Sequence, residues 1–394
     1  MTAAGSSAGS VLVVGAGIIG LAAAWQLAER GLPVTLVDPT LALPPAGSPD
    51  PPESLPTGSG AALGVLMAQV FQRSSGRAWR LRQHSQRLWQ EWIAELERRG
   101  HALPRRRGLL LLAADRTEQE RQARLAADRQ RLGLPVRLLS EGELETIRPQ
   151  LPGGPWGGLL SEADGQLDPG RLLEALRQEA ARAGATFIAE AAVALARAEG
   201  RAAGATAEPG RSGWSRGRWG LRLAGGSWLG ADWLVLALGL GTETLLAGLG
   251  LRLPLEPVLG QALELELAGA PAWTWPGVVV WGGMNLVPRP DLPGGKRLWL
   301  GATLEPGRTA DPAALASLQD LGGAAPAWLR EAAVVRHWQG WRARPRDRPA
   351  PVLEEPEPGL LVASGHYRNG VLLAPATAAW LGERITAGQA GDVR

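Results

Sequence analysis

The sequence predicts an α/β protein of two interleaved domains, one built on a parallel sheet and the other, of α+β type, on an antiparallel sheet. Three observations predict it. The apolar strand Val11 to Val14 runs into the glycine loop Gly15-Ala16-Gly17-Ile18-Ile19-Gly20, then a helix, then a second strand ending at Asp38. Between Leu255 and Leu300, alternating segments have the period of antiparallel strands. A last buried strand, Leu360 to Ser364, then leads into a polar, glycine-flanked run, so the chain returns to its first domain near the C-terminus.

The elements follow in order. A helix is expected over Leu21 to Arg30 and a strand over Pro33 to Val37. Residues 39 to 58, rich in Pro, Gly, Ser and Ala, read as a surface loop before the small apolar stretch Gly60 to Met67. Arg77 to Arg99 has helical period, with Trp79, Leu81, Leu88, Trp89, Trp92, Ile93 and Leu96 on one side. That stripe reads as packing between domains, not as a ligand cage. Gly108 to Ala113 reads as a strand and Asp115 to Leu132 as a charge-laced, exposed helix. Asp168-Pro169 supplies an N-cap and first turn for a helix over Arg171 to Ala183. Thr186 to Val193 reads as a strand, and Gly204 to Arg218 as a Gly/Arg-rich hairpin or insertion. Trp219 to Leu238 supplies strands, the last being Leu234-Val235-Leu236-Ala237-Leu238 before Gly239. Leu263 to Leu267, Val278 to Trp281 and Leu298 to Leu300 are the clearest antiparallel strands, and Asp311 to Leu321 reads as a helix. The expected division is 10–82, 150–247 and 335–394 for the nucleotide-binding domain, with 83–149 and 248–334 for the substrate domain.

Composition narrows the chemistry. The 394 residues, 45% hydrophobic, suffice for two sizeable cores. There is no cysteine, which excludes disulfides, thiolate nucleophiles and cysteine-bound metals. His84, His101, His337 and His366 are scattered without ligand spacing, so no metal site is expected. No apolar run is long enough to span a bilayer, and no charged leader precedes the first strand, so a cytoplasmic location is expected. Net charge is only +3, and Lys296 is the sole lysine. The arginine patches, Arg105 to Arg107 and Arg211 to Arg218, lack interleaved aromatics, so they read as solvated loops and not as a nucleic-acid track.

The glycine loop has the context that a dinucleotide needs. Gly15, Gly17 and Gly20 permit a tight turn and close approach of backbone to a pyrophosphate at a helix N-terminus. Asp38 can accept hydrogen bonds from ribose hydroxyls, which favours a dinucleotide without a 2′-phosphate. This motif leaves NAD and FAD both open. The strand ending Ala237-Leu238-Gly239 is similar to the second signature of FAD-binding folds of the glutathione-reductase type, and tilts the choice to FAD. Near the C-terminus, Gly365-His366-Tyr367-Arg368 can meet a ligand, Asn369-Gly370 reads as a turn, and Val371-Leu372-Leu373 opens a helix whose N-terminus would stabilise an anionic edge. On physics alone, a turn capping the last helix fits this run as well.

These segments share their order with a known family. Gly15 to Asp38, Asp164 to Pro169, Pro257 to Gln261, Val287-Pro288-Arg289, Gly301 to Glu305 and Gly365 to Thr377 together resemble the D-amino-acid oxidase superfamily of FAD-dependent amine oxidoreductases. Within it, the C-terminal run is most similar to the glycine oxidases of thiamine biosynthesis. The resemblance implies non-covalent FAD, since no cysteine is available for a thioether. Ile18 and Ile19 would approach the pyrophosphate, Asp38 and Pro39 the ribose and adenine, and Val193 the adenine through its backbone. Gly58, Ser59, Leu63, Gly64 and Val65 would pass along the isoalloxazine, and His366, Tyr367, Arg368, Asn369, Gly370, Val371 and Leu372 would meet its pyrimidine edge.

Arg342 matches the arginine that pairs with a substrate carboxylate, with Arg344 a close competitor and Arg368 a second candidate from the flavin side. Asn285 stands where the relatives have a tyrosine, which leaves pocket size and the exact amine open. Lys296, in a turn, is not assigned the oxygen-promoting role that lysine has in sarcosine oxidases.

The implied reaction is hydride transfer from the substrate Cα to flavin N5 without a catalytic acid or base, followed by reoxidation by dioxygen. The expected product is an imino acid that supplies thiazole formation, with thiazole synthase a candidate partner and a homo-oligomer the expected assembly. The alternatives are a D-amino-acid or N-methyl-amino-acid dehydrogenase or oxidase, and, in another class, a non-catalytic flavin- or nucleotide-binding protein.

Overall fold

Val11–Val14 lies between two parallel neighbours, Trp233–Leu236 on one side and Val34–Val37 on the other. Burial on both faces explains its unbroken apolar run. It belongs to a six-stranded sheet ordered Val352–Glu357, Leu360–Ser364, Trp233–Leu236, Val11–Val14, Val34–Val37, Thr186–Ile188 in the computed structural model. That structure describes residues 9–42, 57–198, 214 and 217–391. Most of the expected insertion Gly204 to Arg218, with its arginine patch, and most of the loop 39–58 lie outside the described residues.

The chain forms two units: Met1–Glu53, Leu173–Pro257 and Arg342–Arg394 in the first, Ser54–Leu172 and Val258–Trp341 in the second. Residues 54–82 and 150–172 therefore group with the second unit, where the sequence had placed them with the nucleotide-binding segments. The reason is pairing. Val65–Leu66 and Gly158–Leu167 are strands of the second unit's sheet.

In the first unit, the helix Ile18–Glu29 begins three residues earlier than its apolar period indicated, because Gly17 already serves as N-cap. This helix packs against the C-terminal helix Gly370–Gly391. Small buried residues, Ala22, Ala23 and Ala24 on one helix and Ala374, Ala376 and Ala378 on the other, suit a close approach. On the other side of the sheet, Leu12, Val14, Leu234, Leu236, Leu360 and Val362 join Trp219 and Leu221 in one core. Each such leucine, taken fully from water, contributes about 1.5–3 kcal/mol. The expected strand Thr186 to Val193 is two strands, Thr186–Ile188 and Ala192–Arg197.

The second unit holds a ten-stranded sheet, with Leu255–Glu266, Arg297–Gly301, Met284–Arg289 and Val278–Trp281 antiparallel in that order. The helix Gly76–Arg98 buries Trp79, Trp89, Trp92, Ile93 and Leu96. Trp89 and Trp92 meet edge to face, and the Arg129 guanidinium lies 4.2 Å from the Trp79 ring centroid. Arg129 corrects an expectation. Its helix, Arg116–Arg131, is not wholly exposed but buries Gln122, Ala126 and Arg129 along one stripe.

Candidate active site

At the glycine loop, backbone geometry dictates the residues. Gly15 has φ 107°, and a Cβ there would lie 2.6 Å from the Ala237 carbonyl oxygen. A Cβ on Gly20 would collide with the Gly15 carbonyl. Gly17 caps the helix without a side-chain bond, so no capping side chain covers its first turn at Ile18 and Ile19. The side chains of Ile18 and Ile19 are buried, so the loop offers backbone.

Asp38 closes the second strand. Its Oδ2 accepts from the Ala16 N–H at 2.8 Å and its Oδ1 from the Thr40 N–H at 2.7 Å. One bond per oxygen fixes the carboxylate and leaves acceptor capacity on both. Pro39, exposed, opens the short helix Pro39–Ala42. Val193 sits at a register shift between Ala192 and Ala194, with its side chain 50% exposed, so its peptide falls outside the ladder. Gly239, at φ 59°, turns its carbonyl to the hydroxyl of Ser364 at 3.0 Å.

The C-terminal run turns at a different place from the one expected. Tyr367, not Asn369-Gly370, takes the left-handed conformation, with φ 55°. Asn369 directly precedes the last helix, and its carbonyl accepts from Leu373 N–H at 2.8 Å. The His366 imidazole points into the protein, where Nε2 lies 3.0 Å from the Thr377 hydroxyl. Burial pushes it down to about 3, so it is neutral at physiological pH. Gly370 opens the helix beside Ile18, whose Cγ2 is 3.6 Å from where a Gly370 Cβ would lie, so these two helix N-termini are neighbours. Val371 and Leu372 are buried.

The same run is tied to the strand Ala333–Pro345. Tyr367 N–H donates to the Ala343 carbonyl at 3.1 Å, and Gly365 packs so closely on Pro345 that a Cβ would lie 2.7 Å from its ring. Ala343 is the residue between Arg342 and Arg344. Strand alternation places both arginines on the face opposite the buried Ala343 side chain. Their surroundings differ. Arg344 is ion-paired with Glu256 and lies 5.9 Å from the Tyr367 ring centroid, while Arg342 is half-buried. Arg368 is exposed and makes no ion pair among the described residues.

In the second unit, Gly58 is exposed and Ser59 half-buried. The segment Leu63-Gly64-Val65 is seated on the strand Gly158–Leu167. Gly64, at φ 74°, would drive a Cβ into the Leu167 carbonyl. Leu167 N–H donates to Gly64 O at 3.1 Å, Gln166 Nε2 to Leu63 O at 3.3 Å, and Val65 pairs with Gln166. Asn285 donates through Nδ2 to the Gly301 carbonyl at 3.1 Å, so its amide is anchored on its own sheet.

Two groups that sequence reasoning left without a role hold the chain just after this segment. Asp164 is buried and accepts from the N–H groups of Ala68, Gln69 and Val70 at 2.7–3.3 Å. Burial pushes its carboxyl up, and those N–H bonds oppose the rise. Arg129 donates from Nε to the Gln69 carbonyl at 2.6 Å and from Nη2 to those of Phe71 and Arg73. The signal for Arg129 was its spacing from Gln122 and Ala126 on one helical face.

Segments that carried the family resemblance also meet here. Arg289 is 2% exposed, stacks on Trp299, and bonds Asp168 at 2.5 Å and Asp291 at 2.7 Å. The other oxygen of Asp168 caps the next helix through Arg171 N–H at 2.8 Å. Lys296 pairs with Glu266 at 2.7 Å, in keeping with a structural role.

Comparison with known proteins gives the family. The family described as FAD dependent oxidoreductase matches residues 10–384. The chain belongs to that family. This FAD-dependent oxidoreductase is 30% identical over 377 residues to the glycine oxidase of Geobacillus kaustophilus, covering 93% of the chain and 90% of the relative. It is 29% identical over 396 residues to the bifunctional protein ThiO/ThiG of Synechocystis sp., covering 95% of the chain and 51% of that protein. The crystal structure of glycine oxidase from Geobacillus kaustophilus matches with a TM-score of 0.78 at 28% identity, covering 96% of this chain and 95% of that one.

The oxidoreductase thus has the expected architecture, an FAD-binding Rossmann-like fold with a substrate-binding part. The FAD fits the first unit as described. The loop at Gly15 has no room for side chains, two helix N-termini adjoin, and Asp38 and the Val193 peptide present acceptors and backbone. No cysteine exists to form a thioether to the cofactor. No described helix is long and apolar enough to cross a membrane.

Proposed function

We propose that the protein oxidises glycine, or another small amino acid, to its imino acid, with dioxygen as the final acceptor and hydrogen peroxide as the second product. One observation carries the reading: the bond from Tyr367 N–H to Ala343 O joins the FAD-type C-terminal run to the strand of Arg342. A planar guanidinium there can take both oxygens of a substrate carboxylate. Arg342 is the first candidate for that contact, and Arg344, beside Glu256, is its close competitor. Arg368 is the second cation for the substrate.

FAD, when bound, supplies hydride acceptance at N5. The protein's part is to orient the substrate so that Cα faces that atom, and to need no base at Cα. In this reading Ile18, Ile19, Asp38, Pro39, Val193 and Gly239 serve the dinucleotide. Gly58, Ser59, Leu63, Gly64 and Val65 run along the ring system, and His366 to Leu372 meet its pyrimidine edge through backbone, since the His366 side chain is turned inward. In this reading the dinucleotide is held by the first unit.

The ThiO/ThiG relative supports a role for the imine in thiazole formation, with a thiazole synthase as partner. A cytoplasmic homo-oligomer completes the proposal. Asn285 favours one second reading. Its amide is tied to Gly301 and is shorter than tyrosine, which suits a bulkier substrate such as a small D-amino acid or an N-methyl amino acid. Aerobic turnover with glycine, sarcosine and D-alanine separates the two. Peroxide formation fastest with glycine supports the first reading, and negligible turnover of glycine beside rapid turnover of D-alanine supports the second. Reduced protein that stays reduced in air would remove the oxidase assignment and leave a dehydrogenase.

A further inference from the structure

We propose that Asn285 recognises the amino group of the substrate, accepting a hydrogen bond from it through Oδ1. The proposal rests on the reading that Asn285 faces the substrate. The sheet fixes its surroundings. Asn285 pairs with Val280 on one neighbouring strand and with Gly301 on the other, and Gly301 pairs in turn with Ala262. Directly paired residues share a face of the sheet, as do alternate residues along one strand. Val280, Val287 and Ala262, all buried, therefore flank Asn285 on its own face. Gly301 adds no side chain, and a Cβ there would lie 2.8 Å from that of Ala262. Asn285, half-buried, is the one polar side chain in this group.

The bond to Gly301 decides which end of the amide is presented. A carbonyl oxygen can only accept, so the amide turns Nδ2 toward the Gly301 carbonyl, 3.1 Å away. Oδ1 lies at the other end of the planar group and makes no hydrogen bond among the described residues. Gly301 is itself held. Two residues on, Thr303 N–H donates to the Gln261 carbonyl at 3.1 Å, and Gln261 N–H donates to the Thr303 hydroxyl at 2.8 Å. The buried Glu305 carboxylate accepts from that hydroxyl and from Gln261 Nε2. The amide is thus fixed with an open acceptor among apolar neighbours, which suits a ligand N–H and not a carboxylate oxygen.

The test uses the FAD-loaded protein and two ligands that differ by the amino group. The dissociation constant of acetate is taken from the change in flavin absorbance. That of glycine is taken from the concentration dependence of anaerobic flavin reduction. Both are measured in the wild type, Asn285→Leu and Asn285→Ala, so the result does not depend on one replacement fitting the sheet. Glycine binding is expected to weaken by about tenfold or more, the scale of a hydrogen bond to a charged group, while acetate stays within about twofold. Equal weakening of both ligands would mean a carboxylate contact through the remaining Nδ2 hydrogen, and overturns the proposal. No change in either ligand overturns it by removing Asn285 from the site. If glycine does not reduce the wild-type flavin, the glycine reading fails by itself, and D-alanine with propionate decide the proposal in the same way.

Discussion

The N–H of Tyr367 donates to the carbonyl of Ala343 at 3.1 Å, and this bond sets the register between the C-terminal run and the strand that carries Arg342 and Arg344. The bond places Tyr367 beside the strand of the two arginines through backbone geometry, and the Arg344 guanidinium lies 5.9 Å from the Tyr367 ring centroid. That geometry makes their roles separable by substitution.

Arg342→Ala is expected to lower kcat/KM for glycine by at least about 100-fold, the cost of losing a charge-assisted, two-oxygen contact. Arg344→Ala is expected to change it by less than about fivefold, the scale of a half-exposed ion pair with Glu256. Stopped-flow reduction of the flavin across substrate concentrations measures both. Equal losses would undo the distinction.

Gly15→Ala is expected to weaken FAD binding by more than about tenfold and to destabilise the protein by about 2 kcal/mol or more. The φ of 107° and the Ala237 carbonyl, 2.6 Å from the added carbon, both oppose it. Titration of apoprotein with FAD and thermal unfolding of the apoprotein report the two effects separately.

His366 links stability to pH. It is held neutral in the fold, down to about 3, while an unfolded histidine takes up a proton below about 6.5. The unfolded state thus binds more protons between these values, so stability is complete above about pH 6.5 and is lost as pH falls toward the folded value. Between pH 7 and pH 5 the loss is about 2 kcal/mol. Denaturant unfolding of the wild type and of His366→Gln at both pH values checks this, and the variant should show a smaller fall.

Asp164 and Arg129 hold one backbone segment from opposite sides, the first by its N–H groups and the second by its carbonyls. Asp164→Ala would leave buried N–H groups without acceptors and is expected to cost about 3–5 kcal/mol. Asp164→Asn keeps one acceptor and should cost less. Chemical denaturation of both variants reports the order.

Much of this was legible in the sequence where the backbone leaves no choice. Gly15, Gly20 and Gly64 stand where a Cβ would strike a carbonyl, so glycine there carries direct information about approach. The antiparallel block was equally plain from alternation. Tyr367 was not, because nothing local distinguishes a left-handed tyrosine from the Asn-Gly turn beside it. Arg129 hid among solvated charges on its helix, and only the helical phase of Gln122 and Ala126 could have exposed it. The Glu256 to Arg344 pair joins residues far apart in the chain, and no local pattern encodes such a partner. The pairing of Val65 and Leu66 with Gly158–Leu167 is likewise between segments far apart in the chain.

The most direct test of the account is anaerobic addition of glycine to the yellow, FAD-loaded protein while its flavin absorbance is followed. Bleaching is expected to saturate with glycine and to reverse when air is admitted. A flavin that stays oxidised with glycine, sarcosine and small D-amino acids alike would contradict it.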